Sequence, residues 1–142
     1  MRTMGNAVAA GASVIAASIL VLATPRALAN WWSPPAFAKG RTLKLRTTCP
    51  GDGQRWLGER FVVVDGLLYV RLTRGDASQV QCNGTSPLLG VEIAGQLFER
   101  VRGVPAPVFA TRVNQAMADK YTTDIFMRLI PHPLTMRLVP EW

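Results

Sequence analysis

Phe61-Val62-Val63-Val64-Asp65-Gly66-Leu67-Leu68-Tyr69-Val70-Arg71-Leu72 is the stretch on which the fold turns. A β-branched run, an Asp-Gly pair and a second apolar run form the strongest short hairpin signal. The tight turn that matches strand twist needs positive φ at both central positions, and Asp-Gly supplies it. Upstream, Thr42-Leu43-Lys44-Leu45-Arg46-Thr47 alternates apolar and polar, the period of a strand with one face buried. Cys49-Pro50-Gly51-Asp52-Gly53 is turn chemistry. Downstream, Ala94-Gly95 joins apolar runs at residues 88–93 and 96–101 into a second hairpin, and residues 134–139 alternate again as a final strand.

One segment changes period. Phe109, Val113, Ala116, Met117 and Tyr121 fall on one helical face, which predicts a helix within residues 107–121. Pro105 and Pro107 limit where it starts. A short second helix is expected over residues 124–129, ended by Pro131. The order is five strands, one or two helices and a closing strand. Hairpin links and few helices predict a mainly β domain, a small antiparallel barrel, closed or half open, with the helices packed on it. It spans residues 42–142, and residues 30–41, with Pro34 and Pro35, read as an extended arm. The chain shows no repeats.

The first 29 residues read as a secretory signal. Arg2 precedes an uncharged run over residues 7–23, and Pro25 and Ala27-Leu28-Ala29 follow as a small-x-small cleavage site. Cleavage after Ala29 leaves a chain beginning Asn30-Trp31-Trp32 in a periplasmic or extracellular space. The competing reading is an uncleaved anchor over residues 7–23, with Trp31 and Trp32 as its interfacial aromatics. Contact with a membrane is expected only in that case. The whole chain carries 16 Lys and Arg against 9 Asp and Glu, net +7. Loss of Arg2 and Arg26 would leave 14 against 9, net +5. The basic residues are scattered and the chain is exported, so nucleic acid is not the expected partner. An anionic small molecule or an anionic envelope surface is.

At 142 residues, 49% of them hydrophobic, the chain has room for one domain and is too apolar to be wholly disordered. One His and two Cys exclude the usual four-ligand zinc sites, and no metal site is assigned. In an oxidising compartment Cys49 and Cys82 read as a structural disulfide. Catalytic pairs are usually close in sequence, as in Cys-x-x-Cys, and these lie far apart. His132, between Pro131 and Pro133, is a candidate haem ligand or general base, or a surface loop residue. Met117 and Met127 are candidate haem ligands or core filler. Lys120 suits a helix C-terminus, with a second use in reaching a bound anion. No carboxylate pair has a spacing that compels an acid/base role, so no catalytic residue is assigned.

The hairpin over residues 61–71 with Arg74-Gly75 after it, the helix end Ala118-Asp119-Lys120-Tyr121 and the closing Arg137-Leu138-Val139-Pro140-Glu141 together resemble the flavin-binding split-barrel superfamily. That group includes pyridoxamine phosphate oxidase-like proteins and deazaflavin-dependent reductases, and this chain resembles an exported branch of it. The resemblance implies a homodimer with FMN or a deazaflavin at the subunit interface and an oxidoreductase activity. It implies that Arg and Ser or Thr on neighbouring strands hold the cofactor's phosphate. The matching positions are Arg71, Thr73, Arg74 and Gly75, with Arg46 and Thr47 on the preceding strand expected beside them. Paired hydrogen bonds from a planar guanidinium suit phosphate oxygens. Residues 76–82 carry no aromatic side chain to stack on a flavin. Haem, and a cofactor-free barrel acting as a non-catalytic envelope binding scaffold, therefore stand as alternatives.

Overall fold

The computed structural model describes residues 31–127 and 129–141, and the expected signal segment lies outside them. Seven antiparallel strands form one sheet: β1 (Leu43–Cys49), β2 (Gly53–Glu59), β3 (Phe61–Val64), β4 (Leu67–Leu72), β5 (Leu88–Ile93), β6 (Gln96–Pro105) and β7 (Leu134–Pro140). The spatial order is β2-β1-β5-β6-β7-β4-β3, and the sheet curls into a half-barrel of the split-barrel type. The helices are few: α1 (Pro34–Phe37), α2 (Arg74–Cys82), α3 (Ala110–Lys120) and α4 (Asp124–Met127), with a 3-10 turn over Pro107–Phe109.

Both predicted hairpins form, and each turn has positive φ at both central residues. The angles are 51° and 76° at Asp65 and Gly66, and 51° and 73° at Ala94 and Gly95. The β3–β4 hairpin is apolar on both faces because both are covered. Phe61, Leu68 and Val70 belong to the core inside the curl. Val62 and Tyr69 belong to a second cluster with Val113, Met117 and Tyr121 of the α3 segment. Strand alternation thus sends neighbouring residues of β4 to opposite cores.

Three features differ from expectation. The segment read as an extended arm carries the helical turn α1, because Trp32 and Phe37 enter the main core. They meet Phe98 edge to face, with ring centroids 5.0 and 6.0 Å away, a favoured aromatic geometry. Strand β2 was not expected. It pairs with β1 along its whole length but is largely exposed, so it lacks the apolar alternation that marks a strand. Helix α2 was not expected either, because it buries only Ala77 and Val80. Its local signal is a cap: the Thr73 hydroxyl accepts from the Asp76 amide at 3.3 Å. The predicted long helix forms within its expected bounds. It begins at Ala110, after the proline-led 3-10 turn, where the missing Pro107 N–H needs no partner.

The expected disulfide joins Cys49, at the end of β1, to Cys82, at the end of α2, with Cα atoms 5.2 Å apart. It pins to the sheet a helix with only two buried residues of its own.

Candidate functional site

A cavity of about 360 Å³ opens where the β2–β3 junction, β4 and the helices meet. Glu59 and Arg60 come from the junction, Arg71 from β4, Thr73 from the cap of α2 and Asp76 from its first turn. Met117, Met127 and His132 close it from α3, α4 and the loop before β7. An adjoining cavity of about 330 Å³ is lined by Arg71, Asn114, Ile130, Pro131 and His132. Arg71 and His132 line both. Each volume falls within the range of about 300–1,000 Å³ usual for small-molecule sites.

Arg71 shares the face of β4 that carries Tyr69, so it points toward the helices rather than into the main core. Its guanidinium is paired with the buried Asp124 carboxylate and donates to Asn114 Oδ1 at 3.1 Å. A buried guanidinium requires such partners. Glu59 is buried, and its carboxyl is pushed up to about 9 by desolvation and by a hydrogen bond to, and the charge of, Asp76. It therefore holds its proton at neutral pH. Two carboxyls in one site cannot both ionise cheaply. His132 is shifted down by burial and then by the Arg71 charge, which favours the neutral imidazole. Arg60 donates to Thr123 Oγ1 at 2.9 Å. Three cavity residues each carry one buried polar atom with no hydrogen-bond partner: Glu59 Oε1, Arg60 Nη1 and Arg71 Nε. Buried polar atoms are normally satisfied, so these three unpaired atoms mark the polar side of the cavity lining.

The expected phosphate site is only partly brought together. Arg71 and Thr73 line the cavity, but Arg71 is committed to Asp124, and the Thr73 hydroxyl is used as a helix cap. Arg74 and Gly75 are exposed in the first turn of α2 and do not line it. Asp76 places a negative charge at that helix N-terminus, where an anion would otherwise be favoured. Arg46 and Thr47 are not beside Arg71: β5, β6 and β7 separate β1 from β4 in the sheet. Arg46 pairs with Glu99, lies over Trp56 and lines a different cavity, and Thr47 is buried. Nearness in sequence suggested a neighbouring strand, and the long-range order of the sheet overrides it.

Glu59, Arg60, Asp76, Asn114 and Asp124 were not anticipated as site residues. The Thr73-x-x-Asp76 cap was a legible local signal for one of them. The others meet only through tertiary packing. Among the described residues no three His, Cys, Asp or Glu side chains converge as a metal-ion site, and no helix is long and apolar enough to cross a membrane.

No family model and no curated protein matches the chain. Solved structures do. The haem storage protein HutZ from Vibrio cholerae aligns at 16% identity over 76% of this chain and 87% of that one, with a TM-score of 0.57. The conserved hypothetical protein Rv2991 from Mycobacterium tuberculosis aligns at 17% identity over 75% and 78%, with a TM-score of 0.55. A structure described as a domain-swapped dimer aligns at 11% identity over 70% and 80%, with a TM-score of 0.52. At these identities the shared property is the fold.

Proposed function

We propose that this chain is an exported, homodimeric haem-binding protein and that His132 is its iron ligand; the neighbour described as a domain-swapped dimer supports the dimer. The observation that carries the reading is His132 itself. It is the chain's one histidine, it lines both adjoining cavities, and burial and Arg71 favour the neutral imidazole that a metal requires. The thioethers of Met117 and Met127 line the same cavity. Ile125, Phe126, Leu129 and Ile130 leave an exposed apolar stretch just before His132, suited to a macrocycle edge. Arg60 offers a cation to a propionate. Haem, when bound, supplies an iron that accepts an imidazole nitrogen. The chain's own groups orient and tune that site. Asp124 and Asn114 hold Arg71 in place, and Arg71 disfavours protonation of His132. HutZ, described as a haem storage protein, supports the reading by shared fold.

The donor set does not fit a flavin phosphate at Arg71, Thr73, Arg74 and Gly75. Two of the four lie outside the cavity, and Asp76 stands at the helix terminus. No Phe, Tyr or Trp lines the cavity for stacking.

The test is titration of the purified chain with hemin, followed in the Soret band, for wild type and His132→Ala. Saturable binding by wild type is expected, and binding about tenfold weaker or worse by the variant, with a shifted band. Identical spectra and affinities would remove His132 as ligand. Saturable FMN binding without haem binding would return the flavin reading, and binding of neither would leave the cofactor-free scaffold.

A further inference from the structure

Helix α3 hands over to Tyr121, whose ring is buried and whose hydroxyl accepts from the Phe61 amide at 3.1 Å. The same hydroxyl lies 2.7 Å from the Arg41 carbonyl and 2.8 Å from that of Phe61, either of which can take its proton. Three cations gather on this ring. The Arg60 guanidinium lies 4.9 Å from its centroid, the Lys120 ammonium 5.2 Å and the Arg41 guanidinium 5.4 Å. Lys120 also lies 3.9 Å from the Phe61 ring centroid and donates to the Phe61 carbonyl at 2.9 Å.

Ring faces attract cations, but like charges gathered on one ring repel each other. Five arginines, Arg46, Arg71, Arg100, Arg102 and Arg112, each meet a carboxylate; among the described residues Arg55, Arg74 and Arg137 do not, but none of these three is among the cations on this ring. Among the described residues, Arg41, Arg60 and Lys120 have no such partner. Burial and the Arg41 charge bring the Lys120 ammonium down to about 8, consistent with this crowding. Arg60 keeps a buried Nη1 without a partner, and it and Thr42, next to Arg41, line the 360 Å³ cavity. The cluster therefore sits at the edge of that cavity and holds the positive charge that Arg71, neutralised by Asp124, does not offer.

We infer that Arg41, Arg60 and Lys120 form an oxyanion site, which takes a phosphate or carboxylate group, either free or carried by a small molecule whose body lies in the adjoining cavity. Guanidinium and ammonium donors make charge-assisted hydrogen bonds to such groups, and these three lie within 5.4 Å of one ring centroid. The site stands whether or not haem fills the cavity.

The test is calorimetric titration of the full folded chain with inorganic phosphate at constant ionic strength held with chloride. Saturable binding is expected. Arg41→Gln, at an exposed position, should weaken it about tenfold, the loss of one hydrogen bond to a charged group. Arg60→Gln should do the same. Arg55→Gln, at the far end of β2, should leave it unchanged. Heat no different from that of chloride, or equal phosphate affinity in wild type and Arg41→Gln, would overturn the assignment. FMN against riboflavin, and hemin against its dimethyl ester, identify the source of the anion. Preference for the charged member in either pair, lost in Arg41→Gln, supports a ligand-borne group. Phosphate binding without either preference supports a free anion. His132→Ala should leave phosphate binding intact, so this site and the haem reading can fail separately.

Discussion

Asp124→Asn isolates one charge at the centre of the site. The Asp124 side chain is 1% exposed and that of its partner Arg71 6%. Asparagine keeps the shape and removes the charge, so the variant leaves a guanidinium buried against neutral partners, chiefly Asn114. Breaking a buried pair from one side costs about 3–5 kcal/mol, because the surviving charge keeps its desolvation penalty without its counter-ion. Against a typical net stability of about 5–15 kcal/mol, that is a large share. The assay is urea unfolding followed by circular dichroism. At a slope of about 1–3 kcal/mol/M, the midpoint should fall by more than about 1 M with the slope unchanged. The double variant Arg71→Met/Asp124→Leu removes both charges and should recover most of the loss. A cost under about 1 kcal/mol for Asp124→Asn would refute the reasoning, since it would mean that Arg71 reaches water.

Three further outcomes are expected. Glu59 titrates at about 9 in the folded chain against an ordinary 4.5, so between those values the folded state binds a proton that the unfolded state has released. Stability should therefore fall as pH rises through that window, and Glu59→Gln, which copies the protonated carboxyl, should flatten the slope seen in thermal unfolding; an unchanged slope would reject the shifted carboxyl. Cys49→Ser/Cys82→Ser opens a link spanning 33 residues and should lower stability by roughly 3–4 kcal/mol in the chain-entropy model, matched by reducing agent on wild type; a loss below about 1 kcal/mol would count against it. Gly103→Ala would place a Cβ 2.6 Å from Met136 Sδ and 3.3 Å from Leu89 Cδ1, so about 1–3 kcal/mol should be lost on denaturant unfolding; wild-type stability would show that Met136 moves aside freely.

The elements that were legible share a physical reason. Residues 61–72 and 88–101 are apolar runs around turn pairs, and the backbone at Asp65-Gly66 and Ala94-Gly95 adopts the conformation that those pairs favour. Helix α3 was legible because Val113, Met117 and Tyr121 return to one face at helical spacing. Strand β2 and helix α2 were not. Gln54, Arg55 and Trp56 stay exposed, and α2 buries two residues, so neither imprints a periodic pattern. The arm misled for the opposite reason. Pro34 and Pro35 suggested an extended chain, while Trp32 and Phe37 gained more by packing on Phe98 than by remaining in solvent.

The site divides the same way. His132, Met117 and Met127 were singled out from their residue types, Arg71 and Thr73 from the family resemblance, and all five line one cavity. Their roles were not legible, because a role depends on partners far away in sequence. Arg71 meets Asp124, 53 residues on, and Tyr121 meets the Arg41 carbonyl, 80 residues back. The local pattern of side chains was enough for the hairpins, the mainly β class and the cysteine pair, since turn conformation, strand alternation and redox compartment act through residue type and short spacing. Only the tertiary structure decided which arginines are neutralised and which stay open to an anion. Charge pairing and desolvation act through space, and the curl of the sheet sets those distances.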